Sequence, residues 1–128
     1  MSRILLVDDD VVQLDLYKHV LEIAGYRVEI ALGPAQTERR IANTDLVLMD
    51  LRFPNALGDS DAREGMALIR RLRDLGYSAP VIVLSGWPED LEGQPEEQLV
   101  SRILLKPVAP RDLLRNIREV LATPSGVA

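Results

Sequence analysis

The 128 residues fit a single domain, and a chain this long buries roughly two-thirds of the surface it exposes when unfolded. It has no cysteine and so no disulfide to rely on, which is compatible with a reducing cytoplasm, the expected location. A net charge of -5 and a pI near 4.9 argue against direct nucleic-acid binding, no run approaches the ~20 apolar residues that span a bilayer, and the N-terminus lacks the basic-then-apolar order of a signal peptide.

The first predicted strand is Ile4 to Val7, apolar throughout, as expected when both faces of a parallel sheet are covered. Asp10 is read as the cap of the following helix, with Gln13 in the capping-box position. Leu14, Tyr17, Leu21 and Ala24 then recur at helical spacing, and Gly25 stops the helix in the left-handed conformation. Tyr26 to Ala31 alternates apolar and charged residues, the pattern of an edge strand. Pro34 opens a short helix to about Ala42.

Leu46 to Met49 forms a third strand running straight into Asp50. A polar loop follows, then a helix from about Gly65 to Leu75 with Met66, Ile69 and Leu72 inward. Val81 to Leu84 is the fourth strand. Pro88, Gly93 and Pro95 punctuate the next segment, leaving room for one short helix near Pro95 to Val100. Ile103 to Leu105 is a fifth strand, and Pro110 starts a final amphipathic helix carrying Leu113, Leu114, Ile117, Val120 and Leu121. Residues 1–122 are read as one domain and Thr123 to Ala128 as a tail or linker. Five strands alternating with five helices imply an α/β fold with a parallel sheet.

In such a sheet ligands bind beyond the carboxyl ends of the strands, where strand order reverses. The strands here end in Asp8 and Asp9, in Asp50, in Ser85 and in Lys106, while the second ends in nothing ionisable. Polar strand ends are common because they meet water, but that accounts poorly for three carboxylates, a hydroxyl and an ammonium on one rim. Like charges ~4 Å apart at an effective dielectric of ~20 repel by roughly 4 kcal/mol. The cluster must therefore hold a proton or bind a cation. An all-oxygen site with few protein ligands suits Mg²⁺. Zinc is disfavoured, because His19 stands alone and is expected to face solvent. Beside a metal, a carboxylate can attack a phosphoryl group. Lys106 is a compact charge for the phosphoryl oxygens, and Ser85 supplies a hydroxyl.

ILLVDDD, LVLMDL, VIVLSG and LLKP, in this order and at these separations, resemble the receiver domains of two-component signalling. The resemblance covers Ser2 to about Leu121. It implies a (βα)5 doubly wound, flavodoxin-like fold with strand order 2-1-3-4-5. It also implies a phospho-accepting aspartate at Asp50, with Mg²⁺ held by Asp9, Asp50 and the Arg52 carbonyl and assisted by Asp8. Ser85 and Lys106 are expected to contact the phosphoryl group, and the Lys106-Pro107 peptide to be cis. Such a domain is a phosphoacceptor rather than an enzyme, although it supports its own Mg²⁺-dependent phosphotransfer and dephosphorylation. A sensor histidine kinase or phosphotransfer protein is the expected donor, docking on the first helix and the loop after Lys106. The expected output surface towards an effector or output domain is Pro95 to Leu121.

Three positions depart from the family pattern. The loop after Asp50, Asn55 to Glu64, is longer than usual and is read as solvated. Family members often have a glycine at the spacing Gly58 has from Asp50, but Gly65 precedes the helical run and is aligned there instead. Asp59 and Asp61 faintly suggest a calcium loop, a reading rejected because Arg63 occupies a ligand position. The aromatic residue usual three positions before the lysine is Ile103, so a rotating ring cannot report on Ser85. Arg52 and Trp87 flank the expected phosphoryl position and could hinder the hydrolytic water, giving a long-lived phosphoryl state.

Two rivals use the same residues. A haloacid-dehalogenase-like phosphatase would employ Asp8-Asp9-Asp10-Val11-Val12, Ser85 and Lys106, but it needs a later acidic motif and leaves Asp50 idle. A receiver-fold interaction module that is never phosphorylated is kept open by Ile103.

Overall fold

A computed structural model of the chain describes residues 2–122. The tail expected from Thr123 onward lies outside the described residues. Five parallel strands form the main sheet: β1 (Arg3–Val7), β2 (Arg27–Ala31), β3 (Leu46–Asp50), β6 (Val81–Ser85) and β7 (Arg102–Leu105). They lie in the order β2-β1-β3-β6-β7, which in chain order is 2-1-3-4-5, as expected. Strand order reverses between β1 and β3, where Val7 pairs with Met49.

Alternating side chains build two cores. Leu5, Val7, Val47, Met49, Val81 and Val83 pack against Leu68, Ile69 and Leu72 of α3 (Ala62–Asp74). On the opposite face Ile4, Leu6, Leu46, Leu48, Ile82 and Leu84 meet α1 (Val11–Ile23) and α4 (Pro110–Ala122) through Leu14, Tyr17, Leu21, Leu113 and Ile117. A short α2 (Pro34–Arg40) follows β2. Central strands sealed on both faces explain why these runs are apolar at every position. Gly25 has φ of 98°, the left-handed stop expected after α1, although Ala24, placed on the helix's inward stripe, is the exposed cap.

Three expectations need correction. The loop after Asp50 is a small antiparallel hairpin, β4 (Phe53–Pro54) with β5 (Ser60–Asp61). The Asn55 side chain closes its turn by accepting from the amides of Leu57 and Asp59. Asp61 ends the hairpin by capping α3 through the Arg63 amide, so the helix begins at Ala62, ahead of Gly65. Its buried stripe is Gly65, Leu68, Ile69 and Leu72, and Met66 is half-buried against the same core, inward as expected.

The expected fourth helix is also absent as an α-helix. Two 3-10 turns, Pro88–Asp90 and Pro95–Leu99, take its place. Each begins at proline, and Gly93 between them has φ of 76°, which interrupts any continuous helix. Among the described residues there are thus four α-helices rather than five.

Candidate functional site

β1 ends at Val7, so Asp8 and Asp9 emerge at the sheet's carboxyl edge beside Asp50, the last residue of β3. One carboxylate oxygen from each of Asp8, Asp9 and Asp50 lies within 4.8 Å of the others. Lys106, just past β7, sends its ammonium to Asp50 Oδ2 at 3.2 Å and Asp8 Oδ2 at 3.4 Å. The Lys106-Pro107 peptide is cis. The residues face an open cleft of about 420 Å³, also lined by Asp10, Gln13, Arg52, Ser60, Gly86 and Trp87.

Each charge has an identifiable hold. The remaining Asp8 oxygen accepts the Asp10 amide at 2.9 Å. Asp50 Oδ1 accepts the Leu51 amide at 2.7 Å and the Arg52 amide at 3.4 Å, leaving Oδ2 directed towards Lys106. Burial pushes the Asp8 carboxyl up to about 6, and the neighbouring Asp50 charge adds to the rise while the Asp10 amide and Lys106 oppose it. Burial alone would lower the Lys106 ammonium, but Asp8 and Asp50 outweigh it and hold Lys106 above the ordinary lysine value.

Gln13 joins the residues that the structure places at the cleft. It occupies the third helical position of α1, as a capping box requires, but Asp10 caps the helix alone by accepting from Val12 and Gln13 amides. The Gln13 side chain instead accepts from Lys106 at 2.8 Å, steadying the ammonium. A helix starting directly beyond a strand end necessarily aims its first turn at the same rim, and that was the available signal.

Ser85 ends β6 and is buried, its hydroxyl accepting the Trp87 amide at 3.0 Å. Arg52 lines the cleft, and its side chain is held by Asp90. Nε and Nη2 donate to Asp90 at 2.8 and 3.2 Å, and the guanidinium stacks 3.8 Å from the Trp87 ring centre. Ile103 packs against the α3-side core. His19 is exposed on α1. Asp61 directs its oxygens to Asn55 and Arg63 rather than to the cleft.

Gly65 packs against the loop that carries Arg52. A Cβ at this position would lie 2.1 Å from the Leu51 carbonyl oxygen. Gly58 sits in the hairpin turn with open space around it. The close approach belongs to Gly65, as the alignment at that residue expects.

The phosphatase alternative finds no later acid at the cleft. Asp112 pairs with Arg115 along α4, and Glu119 pairs with Arg102. Neither residue lines the cleft, whereas Asp50 does.

The sequence profile of the response regulator receiver domain matches residues 4–118. The chain is 33% identical over 120 residues to the transcriptional regulatory protein YbdJ of Bacillus subtilis strain 168, covering 93% of this chain and 50% of that protein. It therefore spans about half the length of that relative. A receiver domain protein from Methanospirillum hungatei JF-1 superimposes with a TM-score of 0.77 at 32% identity, covering 94% of both chains. The response regulator TrrA of Thermotoga maritima, solved with Mg²⁺ and BeF, gives a TM-score of 0.80 over 94% of this chain and 99% of its own, at 21% identity. That level of identity speaks for the fold alone. On the match of that family's profile over residues 4–118, the chain belongs to the response regulator receiver domain family.

Proposed function

We propose that Asp50 is the phosphoacceptor of this receiver domain, with Mg²⁺ bound by Asp9, Asp50 and the Arg52 carbonyl and assisted by Asp8. The observation that carries the reading is the convergence of three carboxylates and one ammonium from three strand ends. The donor set fits the metal: every candidate ligand is oxygen, and net negative charge remains after Lys106 is counted. When bound, the ion neutralises charge on the transferring phosphoryl group.

The remaining chemistry falls to the chain's own groups. Leu51 and Arg52 amides orient the Asp50 carboxylate by holding Oδ1, which leaves Oδ2 as the nucleophile. Attack of Oδ2 on the phosphorus of a donor phosphohistidine forms the O–P bond, breaks the P–N bond and leaves the electron pair on the imidazole nitrogen. Lys106, steadied by Gln13, supplies positive charge to the phosphoryl oxygens. Ser85 donates its O–H to one of them, which its oxygen can do while it accepts the Trp87 amide. Water later hydrolyses the acyl phosphate, and Arg52 with Trp87 hinders its approach.

The donor is a sensor histidine kinase or histidine phosphotransfer protein. Its docking side is the first helix and the loop after Lys106. Val11, Val12 and Leu16 are exposed on α1 next to the acidic rim, an apolar surface of the kind a partner helix covers. The output surface is residues 95–121, towards an effector or output domain. The domain spans residues 1–122. No helix of the described residues is long and apolar enough to cross a membrane, and the site of action is the cytoplasm.

A small-molecule phosphodonor with Mg²⁺ tests the assignment. Wild type is expected to acquire acid-labile phosphate and Asp50→Asn to acquire none. Unlabelled wild type would point to the interaction module that is never phosphorylated. Turnover of a phosphatase substrate that depends on Asp8 but not Asp50 would point to the haloacid-dehalogenase reading.

A further inference from the structure

Arg52 bridges three segments at the lip of the cleft. It follows β3, it stacks on Trp87 beyond β6, and both its donating nitrogens reach Asp90 in the first 3-10 turn. Arg52 and Trp87 line the cleft with Asp50 and Lys106. A guanidinium tied to a carboxylate thus lines the same cleft as the carboxylate proposed to become phosphorylated.

We infer that Asp90 holds Arg52 in reserve: phosphorylation of Asp50 draws the guanidinium from the Asp90 carboxylate to phosphoryl oxygens and releases the Pro88–Asp90 turn. This rests on Asp50 being the phosphoacceptor. The guanidinium fork matches phosphate as well as carboxylate. A phosphoryl group also presents three strong acceptor oxygens, more than one ammonium and one metal ion fill, against the two of Asp90. The present pair is only partly sheltered, with 27% and 21% of the two side chains exposed, and water weakens such pairs. The Trp87 ring face gives the guanidinium a surface along which to turn without losing its stacking contact.

The exchange also offers an output route that does not involve residue 103. Asp90 is anchored through Arg52 and through its amide to the Trp87 carbonyl at 3.0 Å. Losing the first anchor loosens the segment leading through Gly93 to the second 3-10 turn, inside the region proposed to meet partners. Asp90 is in this sense a positioning residue, acting on phosphoryl binding through Arg52.

Beryllofluoride with saturating Mg²⁺ is the probe, with binding followed by fluorine NMR and the lip followed by emission of Trp87, the sole tryptophan. Asp90→Asn, which removes the competing charge, is expected to bind the probe roughly two- to five-fold more tightly than wild type. Arg52→Ala binds more weakly, and Asp90→Asn added to it gives no further gain. The binding-linked change in Trp87 emission shrinks in Arg52→Ala. A purely structural Asp90 would instead weaken binding when replaced. Equal or weaker binding by Asp90→Asn overturns the exchange, as does a double variant tighter than Arg52→Ala. Wild type that binds no beryllofluoride at all overturns the phosphoacceptor reading together with the exchange.

Discussion

Lys106 Nζ lies 3.2 Å from Asp50 Oδ2, across 56 residues of sequence, and both side chains are largely sheltered from water. The same ammonium reaches Asp8 at 3.4 Å. Lys106→Met leaves a sheltered carboxylate cluster without this cation. The variant is expected to lose about 1 to 3 kcal/mol of stability without metal, below the range for a fully buried pair because the cleft is open. Urea unfolding at neutral pH measures the loss, and added Mg²⁺ restores part of it.

The converse change relieves the crowding. Asp9→Asn removes one of three neighbouring carboxylates, and it is expected to stabilise the metal-free protein by about 1 kcal/mol while abolishing Mg²⁺-dependent stabilisation. Thermal unfolding with and without Mg²⁺ separates the two effects. A variant less stable than wild type without metal would show that repulsion is not the dominant force at the cleft.

Proton and metal compete at Asp8. Its carboxyl is raised from 3.8 to about 6, so the folded state binds this proton more tightly than the unfolded chain does. The sign follows from linkage: the contribution is fully present below the unfolded value and is lost as pH rises through about 6. Metal-free stability attributable to Asp8 therefore falls between about pH 4 and 6, while Mg²⁺ affinity rises with pH up to about 7. Mg²⁺ titrations at pH 5 and pH 7 test this, and Asp8→Asn is expected to flatten the dependence.

Gly65 supports the loop bearing Arg52 by being small. Gly65→Ala puts a methyl group 2.1 Å from the Leu51 carbonyl oxygen, so backbone must move. A loss of about 2 to 4 kcal/mol is expected, together with slower phosphorylation. Gly58→Ala meets no atoms and suffers only the penalty of its φ of 84°, about 1 kcal/mol. Denaturant midpoints of the two variants check the order.

Arg52 and Trp87 together bear on the lifetime of the phosphoryl group. Arg52→Ala combined with Trp87→Ala is expected to speed hydrolysis several-fold, read as loss of acid-labile phosphate after donor removal. An unchanged rate would mean that the pair does not shield the acyl phosphate.

The sheet was legible because its central strands are apolar at every position, a consequence of burial on both faces. The rim was legible for a related reason. Where an apolar run ends, the first polar residue must emerge at the sheet edge, as Asp8, Asp50 and Lys106 do. Four residues of hairpin are too few to show a period, so β4 and β5 read as loop. The prolines at 88 and 95 marked interruptions, but not that 3-10 geometry would replace a helix. Asp90 lies 38 residues from Arg52, and nothing local signals that they meet. Gln13 fits a capping pattern in sequence, which hides that its side chain serves Lys106.

Peptide mapping of the phosphorylated protein addresses the central claim most directly. After reaction with a small-molecule donor, mass spectrometry is expected to find the modification on Asp50 alone, and only when Mg²⁺ is supplied. Modification at Asp8 or Asp9, or equal labelling after the metal is chelated, would contradict the account.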